Sequence, residues 1–426
     1  MKKCCLTSLL LFLIPVFLQA QDENEFSARL YGYVKTDIFF DSRQVVAARD
    51  GQFLLYPQAE VLDNSGKDIN AKSSFNMVSI QTRLGVRISA PDALGAKISG
   101  LVEGAFFGMT NADINGFRLR HAFLKMQWKS TDLLVGQFWH PNFVTSCFPG
   151  TVSFNTGVPF VPFTRNPQVR LTQKVGKFSF IGTILSQLDF SSFGPGPNDA
   201  SILSPVFLRN SALPAMNLRI EFHSANKEEG TEFLVGASAN FKRLVPRVSS
   251  SVTDTAGNTF TYKGIEEVSS LAGSFFIKVR VPVLTIKAQA TYAQDAANWL
   301  MIGGYAVEKV VNQVKGFREY LPISTLSAWT DIHSNGKKWQ LGLFAGYSKN
   351  LGSQDPITGP YFSRGKDIDY IYRISPRFIY NVGKFRIAPE IEYTVAAYGT
   401  PDNYGDVEDL TAVGNLRLLL GVYLFF

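Results

Sequence analysis

The 426-residue chain is predicted to be all-β, a transmembrane antiparallel β-barrel of about sixteen strands with long extracellular loops and short periplasmic turns. Three observations carry this. The chain closes on an alternating stretch in which Leu416, Leu418, Leu420, Val422, Leu424 and Phe426 share one face against Asn415, Arg417, Gly421 and Tyr423. The same two-residue period returns along the whole chain, a repeat that no helix presents. The segments between these stretches alternate long and short, as in a barrel whose ends face different compartments.

At the start, Lys2 and Lys3 precede an apolar run over residues 9–18 that ends at Gln19-Ala20-Gln21. This pattern predicts a secretory signal peptide over residues 1–20, leaving 21–426 as a single barrel domain. No second apolar run reaches the length of a membrane-spanning helix. Loss of Lys2 and Lys3 would take the formal charge from +7 to +5. Cys4 and Cys5 lie ahead of the apolar run, so they do not mark a lipoprotein site, and Cys147 is left without a disulfide partner.

The first strand, residues 26–40, sets Leu30, Val34, Ile38 and Phe40 against Arg29, Lys35 and Asp37. The second, 76–89, opposes Ile80, Leu84, Val86 and Ile88 to Gln81, Arg83 and Arg87, and the eighth, 216–223, opposes Met216, Leu218, Ile220 and Phe222 to Asn217, Arg219, Glu221 and His223. Weaker alternation marks 96–107, 117–129, 133–139, 168–175, 178–188, 232–242, 270–280, 283–293, 324–333, 339–349, 370–380 and 385–396, with 415–426 last. Within 117–129, Arg120 and Lys125 fall on opposite faces, which predicts a bulge or an early register change there. The long connections are 41–75, 108–116, 140–167, 189–215, 244–269, 294–323, 350–369 and 397–414; the short ones run from two to eight residues. In the sixth long loop, Val307, Val310, Val311, Val314 and Phe317 fall at helical spacing, predicting a short helix at the barrel mouth.

If the polar face of each strand lines a lumen, the wall carries seventeen basic residues against seven acidic ones. Lys35, Arg83, Arg118, Arg120, Arg170, Arg373 and Arg377 are the candidate lining cations, with Glu390 among the acids. A hydrated bore with a cationic wall lowers the energy of an anion inside it, because low-dielectric surroundings focus the field. Ion pairing across the lumen with Glu390 or Glu103 is the structural alternative for the deeper arginines. The third long loop carries Phe143, Phe148, Phe154, Phe160 and Phe163 among five prolines. So apolar a loop is expected to fold into the barrel and constrict it, with the rings on the wall and Asn142 or Arg165 facing the passage. Cys147 is then a packed, unreactive thiol.

The stretch 117–142, FRLRHAFLKMQWKSTDLLVGQFWHPN, resembles the segment before the constriction loop of DcaP-like outer-membrane porins, in its Arg-x-Arg-His-Ala-aromatic start and its Leu-Val-Gly-Gln-aromatic-Trp close. Strand count, long third loop and terminal Phe extend the resemblance over most of the chain. It implies a homotrimer of sixteen-stranded barrels passing small anionic solutes such as carboxylates, with Arg118 and Arg120 as the matching basic pair. It also implies a helical periplasmic extension, for which residues 21–25 are too few.

The function expected is therefore a porin of the bacterial outer membrane: a water-filled, anion-preferring channel for passive diffusion, with lipid and lipopolysaccharide around it and no cofactor, metal or nucleic acid. A structural or adhesive barrel without an open pore is the alternative. An enzyme barrel has less behind it, since there is no Gly-x-Ser-x-Gly elbow and His121, His140, His223 and His333 lack metal-site spacing. Asp402, Asp406, Glu408 and Asp409 read as a solvated loop.

Overall fold

A computed structural model describes residues 25–108 and 111–426. The expected signal peptide lies outside the described residues. Sixteen antiparallel strands follow in chain order: β1 (Ser27–Asp41), β2 in two pieces (Ser74–Val78 and Arg83–Ala93), β3 (Ala96–Phe106), β4 (Phe117–Gln127), β5 (Thr131–Trp139), β6 (Arg165–Val175), β7 (Phe178–Leu185), β8 (Ala215–Asn226), β9 (Thr231–Leu244), β10 (Val268–Arg280), β11 (Leu284–Gln294), β12 (Phe317–Ser334), β13 (Trp339–Asn350), β14 (Ile368–Val382), β15 (Phe385–Pro401) and β16 (Val407–Phe425). Each pairs with its sequence neighbours. The sheet closes where β1 meets β16, from Tyr33 opposite Phe425 to Asp41 opposite Arg417. Closure leaves no edge strand, so every wall amide has a partner without water.

The side chains sort by face as the alternation requires. Leu30, Leu218 and Leu341 project outward and are more than 60% exposed, whereas Lys35, Arg373 and Arg417 point inward and are at most 1% exposed. An apolar belt of this size over a polar interior suits a bilayer. Aromatic residues edge the belt: Trp339 and Tyr347 stand on the outer face of β13, eight residues apart in sequence. That separation is roughly 20 Å of depth at a rise of about 3.3 Å per residue and a tilt of about 40°.

The irregularity expected in β4 is a bulge. Glu103 faces His121 and Gly104 faces Leu119, so Arg120 is the extra residue, and Arg120 and His121 both turn inward. The freed carbonyls are covered from β5, where the Gln137 side-chain amide donates to the carbonyls of Arg120 (3.0 Å) and Leu119 (3.4 Å). Beside it, Gly136 has φ +132°, and a Cβ there would lie 2.3 Å from the Ala122 carbonyl oxygen. The Gly-Gln pair of the sequence motif is thus the device that closes the bulge.

Two expectations are corrected. Residues 306–317 form no helix: Gly303–Asn312 is a strand that pairs with the tall outer half of β12. Register shifts at Val307/Lys309 and Val310/Asn312 break its two-residue period, and those breaks place the valines at helical spacing. The last outer loop is not 397–414. Strands β15 and β16 run on above the barrel to a turn at 402–406, where Asp402 accepts the backbone N–H groups of Tyr404 and Asp406.

Replacing Gln137 with Leu is expected to leave both bulge carbonyls without a partner and to lower stability by about 1–3 kcal/mol. Denaturant unfolding of the detergent-folded protein measures this, and an unchanged midpoint would show that Gln137 does not support the bulge.

Candidate functional site

The third outer loop leaves β5 at Trp139, lies inside the barrel and returns at Arg165. Its aromatic rings bury one another: Phe143 stacks on Trp139 at 4.0 Å, Phe154 meets Phe53 at 5.2 Å, and Phe160 packs on Phe344 of β13. Phe53 belongs to a hairpin in the first outer loop, Val45–Ala48 with Phe53–Pro57, which also folds inward. A largely apolar core of loop residues therefore sits inside the barrel. Phe53-Leu54-Leu55-Tyr56 is as apolar as the third loop, and that run is the sequence signal that could have identified the second plugging segment.

The wall holds these loops mainly through charge. On β14, the Arg373 guanidinium donates to the carbonyls of Leu55 and Val158, both at 2.8 Å, so one side chain clamps both loops while Glu392 lies 3.4 Å away. Arg377 pairs with Asp331 of β12 at 2.7 Å, and Lys35 of β1 pairs with Asp37 at 2.9 Å and donates to the Val152 carbonyl at 2.8 Å. Glu390 of β15 accepts the backbone N–H groups of Val152 and Ser153. Arg170 donates to the Trp139 carbonyl at 2.6 Å. Arg118 and Arg165 share Asp189 of the fourth outer loop, and Arg120 pairs with Glu103 at 2.8 Å. Burial alone would raise the Asp189 carboxyl, and the flanking Arg165 and Arg118 outweigh it and hold it below its ordinary value. Burial, with Arg170, Lys242 and Arg219 nearby, holds His140 down at about 3, so it is neutral at pH 7 and accepts the Asn142 N–H through Nδ1.

Neither Asn142 nor Arg165 faces a passage. Asn142 is fully buried against the wall, accepting hydrogen bonds from Asn217 and Ser238 at 2.9 Å, and Arg165 is buried beside Asp189. Buried amides and guanidiniums need partners, and in a filled barrel Asn142 finds them on the wall and Arg165 in the fourth outer loop. Cys147 is buried too, its thiol donating to the Ile277 carbonyl at 3.3 Å. Arg49, which sequence reasoning did not single out, dips in from the first loop and lies 4.2 Å over the Phe107 ring.

Open space remains on the short-turn side of the third loop, in a cavity of about 420 Å³. Its wall is formed by Tyr33, Arg83, Glu103, Arg120, Arg386 and Tyr423, and its roof by Trp139, Phe143, Phe148 and residues 149–154. Three guanidiniums face one carboxylate there. Glu103 is engaged by Arg120, by Arg83 at 3.5 Å and by the Tyr31 hydroxyl at 2.8 Å, while Arg386 donates to the Asn381 side chain, pairs with no acid among the described residues, and lies near the Tyr423 and Phe425 rings. The cavity is therefore cationic. Among the described residues, no group of His, Cys, Asp or Glu side chains is placed to hold a metal ion.

No protein-family model and no curated protein matches this chain. Solved structures do. The outer membrane channel DcaP of Acinetobacter baumannii superposes with a TM-score of 0.66 at 16% identity, covering 95% of this chain and 99% of that one. The trimer form of OmpT, an outer membrane protein of Vibrio cholerae, gives 0.52 at 13% identity over 95% and 100%, and an anion-selective porin from Comamonas acidovorans gives 0.51 at 11% over 94% and 100%. At these identities the likeness establishes the fold alone, the closed sixteen-stranded antiparallel barrel that the strand pattern predicts.

Replacing Arg373 with Met keeps the side-chain length but frees both inserted loops and leaves Glu392 buried without its cation. A loss of about 3–5 kcal/mol is expected in denaturant unfolding, with faster proteolysis of the first and third loops. Wild-type stability in this variant would show that the clamp is dispensable.

Proposed function

We propose that this barrel is an outer-membrane porin through which small solutes diffuse passively, with a preference for anions. The observation that carries the reading is the cavity beneath the third loop, where Arg83, Arg120 and Arg386 face the single carboxylate of Glu103. An excess of fixed positive charge in a narrow, low-dielectric bore raises the local concentration of anions and excludes cations. Small carboxylates and phosphates fit this field equally well. The fold-level likeness to an anion-selective porin and to a trimeric outer membrane protein supports the same reading and a homotrimeric assembly, as analogy.

The proposed passage runs past Arg83, Arg120 and Arg386 rather than through the whole set of wall cations. Lys35, Arg373 and Arg377 are occupied in holding the loops, and Arg118 and Arg170 are engaged by Asp189 and the Trp139 carbonyl. A closed structural barrel is the second reading, favoured by how much of the lumen the two inserted loops fill.

Planar-bilayer recording separates these readings. Under a salt gradient the reversal potential should report anion preference, and Arg83→Glu with Arg386→Glu should lower the anion-to-cation permeability ratio by about threefold or more. Absence of conductance would favour the closed barrel, and an unchanged ratio in the double variant would remove these arginines from the passage. Reversal at Arg118 and Arg120 is less informative because it would remove one of the two arginines on Asp189 and the 2.8 Å partner of Glu103, and so also disturb the loops.

A further inference from the structure

The tip of the third loop is fastened by three wall carboxylates. The backbone N–H of Gly150 donates to Asp331 at 3.2 Å, those of Val152 and Ser153 donate to Glu390, and the Asn155 side chain donates to Glu392 at 2.7 Å. These acids differ in one respect. Asp331 is paired with Arg377 and Glu392 with Arg373, whereas Glu390 is bound by neutral donors: the two loop amides, and the Ser375 hydroxyl at 2.5 Å. Among the described residues, no Lys, Arg or His forms an ion pair with it, although it is only 1% exposed.

Every charged or titratable group around Glu390 is already engaged elsewhere or adds negative charge. Glu392 lies two residues along the same face of β15. From β14, Arg373 and Arg377 serve Glu392 and Asp331. From β1, Lys35 and Asp37 pair with each other, and from β16, Arg417 pairs with Asp41 while the Tyr423 hydroxyl reaches the Val152 carbonyl at 3.3 Å. A buried carboxylate beside a second one, held by neutral donors and no cation of its own, is a place where a proton can bind. Protonation replaces an acceptor by an O–H donor and weakens the hold on Val152 and Ser153.

We propose that Glu390 is the positioning residue of the constriction loop and that its protonation loosens residues 151–153, between the anchors at Gly150 and Asn155, and narrows the vestibule. The inference rests on the passage proposed above. The segment lines the cavity directly, so displacement by even a side-chain width changes the bore. The neighbouring anchors, Asp331 at Gly150 and Glu392 at Asn155, keep their cations, so the movement is confined to the residues between them.

Single-channel recording of the full barrel between about pH 8 and about pH 5 tests this. Wild-type conductance should fall by about twofold with added flicker on acidification, and Glu390→Gln should show the low, flickering state at both pH values. A tether supplies a second test that does not disturb the carboxylate. A Cβ built on Gly421 lies 2.8 Å from the Val152 side chain, so Val152→Cys with Gly421→Cys, in a Cys147→Ala background, should pin the loop tip to β16 when oxidised. The acid response should vanish on oxidation and return on reduction. Conductance that does not change with pH, a Glu390→Gln barrel that titrates like wild type, or an acid response that survives the tether would each overturn the latch while leaving the passage standing. Absence of conductance at every pH would overturn both.

Discussion

The structure depends on one constraint: in hydrocarbon, a backbone amide has no partner but another backbone amide. A closed sheet satisfies it, and here closure rests on nine consecutive residue pairs between the first strand and the last. The constraint reaches down to single residues. The bulge in β4 exposes two carbonyls, and a glycine and a glutamine on β5 are spent on covering them.

Closure creates the opposite problem inside. The inward faces carry charges that water alone would satisfy in a wide bore, but two outer loops fold in and displace much of that water. The loops bring apolar rings for one another and backbone carbonyls and amides for the wall. Arg373, Lys35 and Glu390 meet those groups, and other wall bases are engaged by wall acids, by loop acids such as Asp189 and Asp295, or by loop carbonyls. Such buried pairs contribute geometry more than stability, because desolvation offsets most of their attraction. Their effect is to hold loop backbone at a defined place in the lumen, which a purely apolar wall could not do.

What survives neutralisation is local. On the short-turn side of the third loop, positive charge exceeds negative charge around open space, and aromatic rings from the loop form the roof. Any selectivity therefore belongs to a small part of the wall, and the overall excess of basic over acidic wall residues is a poor measure of it.

Most strand positions, the alternation of faces along them, an irregularity in β4 and the entry of the third loop were legible along the chain, because a period of two and a run of phenylalanines in a loop are local signals in a bilayer; Ile80, read on the outer face, is instead buried in a break within β2. The supposed helix near Val310 misread a bulged strand, since two register shifts imitate helical spacing. The first-loop hairpin went unread although Phe53 to Tyr56 carried the same apolar signal. Which inward charges meet water and which are covered was not legible at all. Asn142 turns to the wall and Arg165 to Asp189 of the fourth outer loop, and Arg373 reaches carbonyls 318 and 215 residues away, so its role exists only once the barrel has closed and the loops have entered. Alternation along a strand states the face a side chain takes; the tertiary structure decides what stands opposite it, because that partner is supplied by distant chain folding into a shared interior.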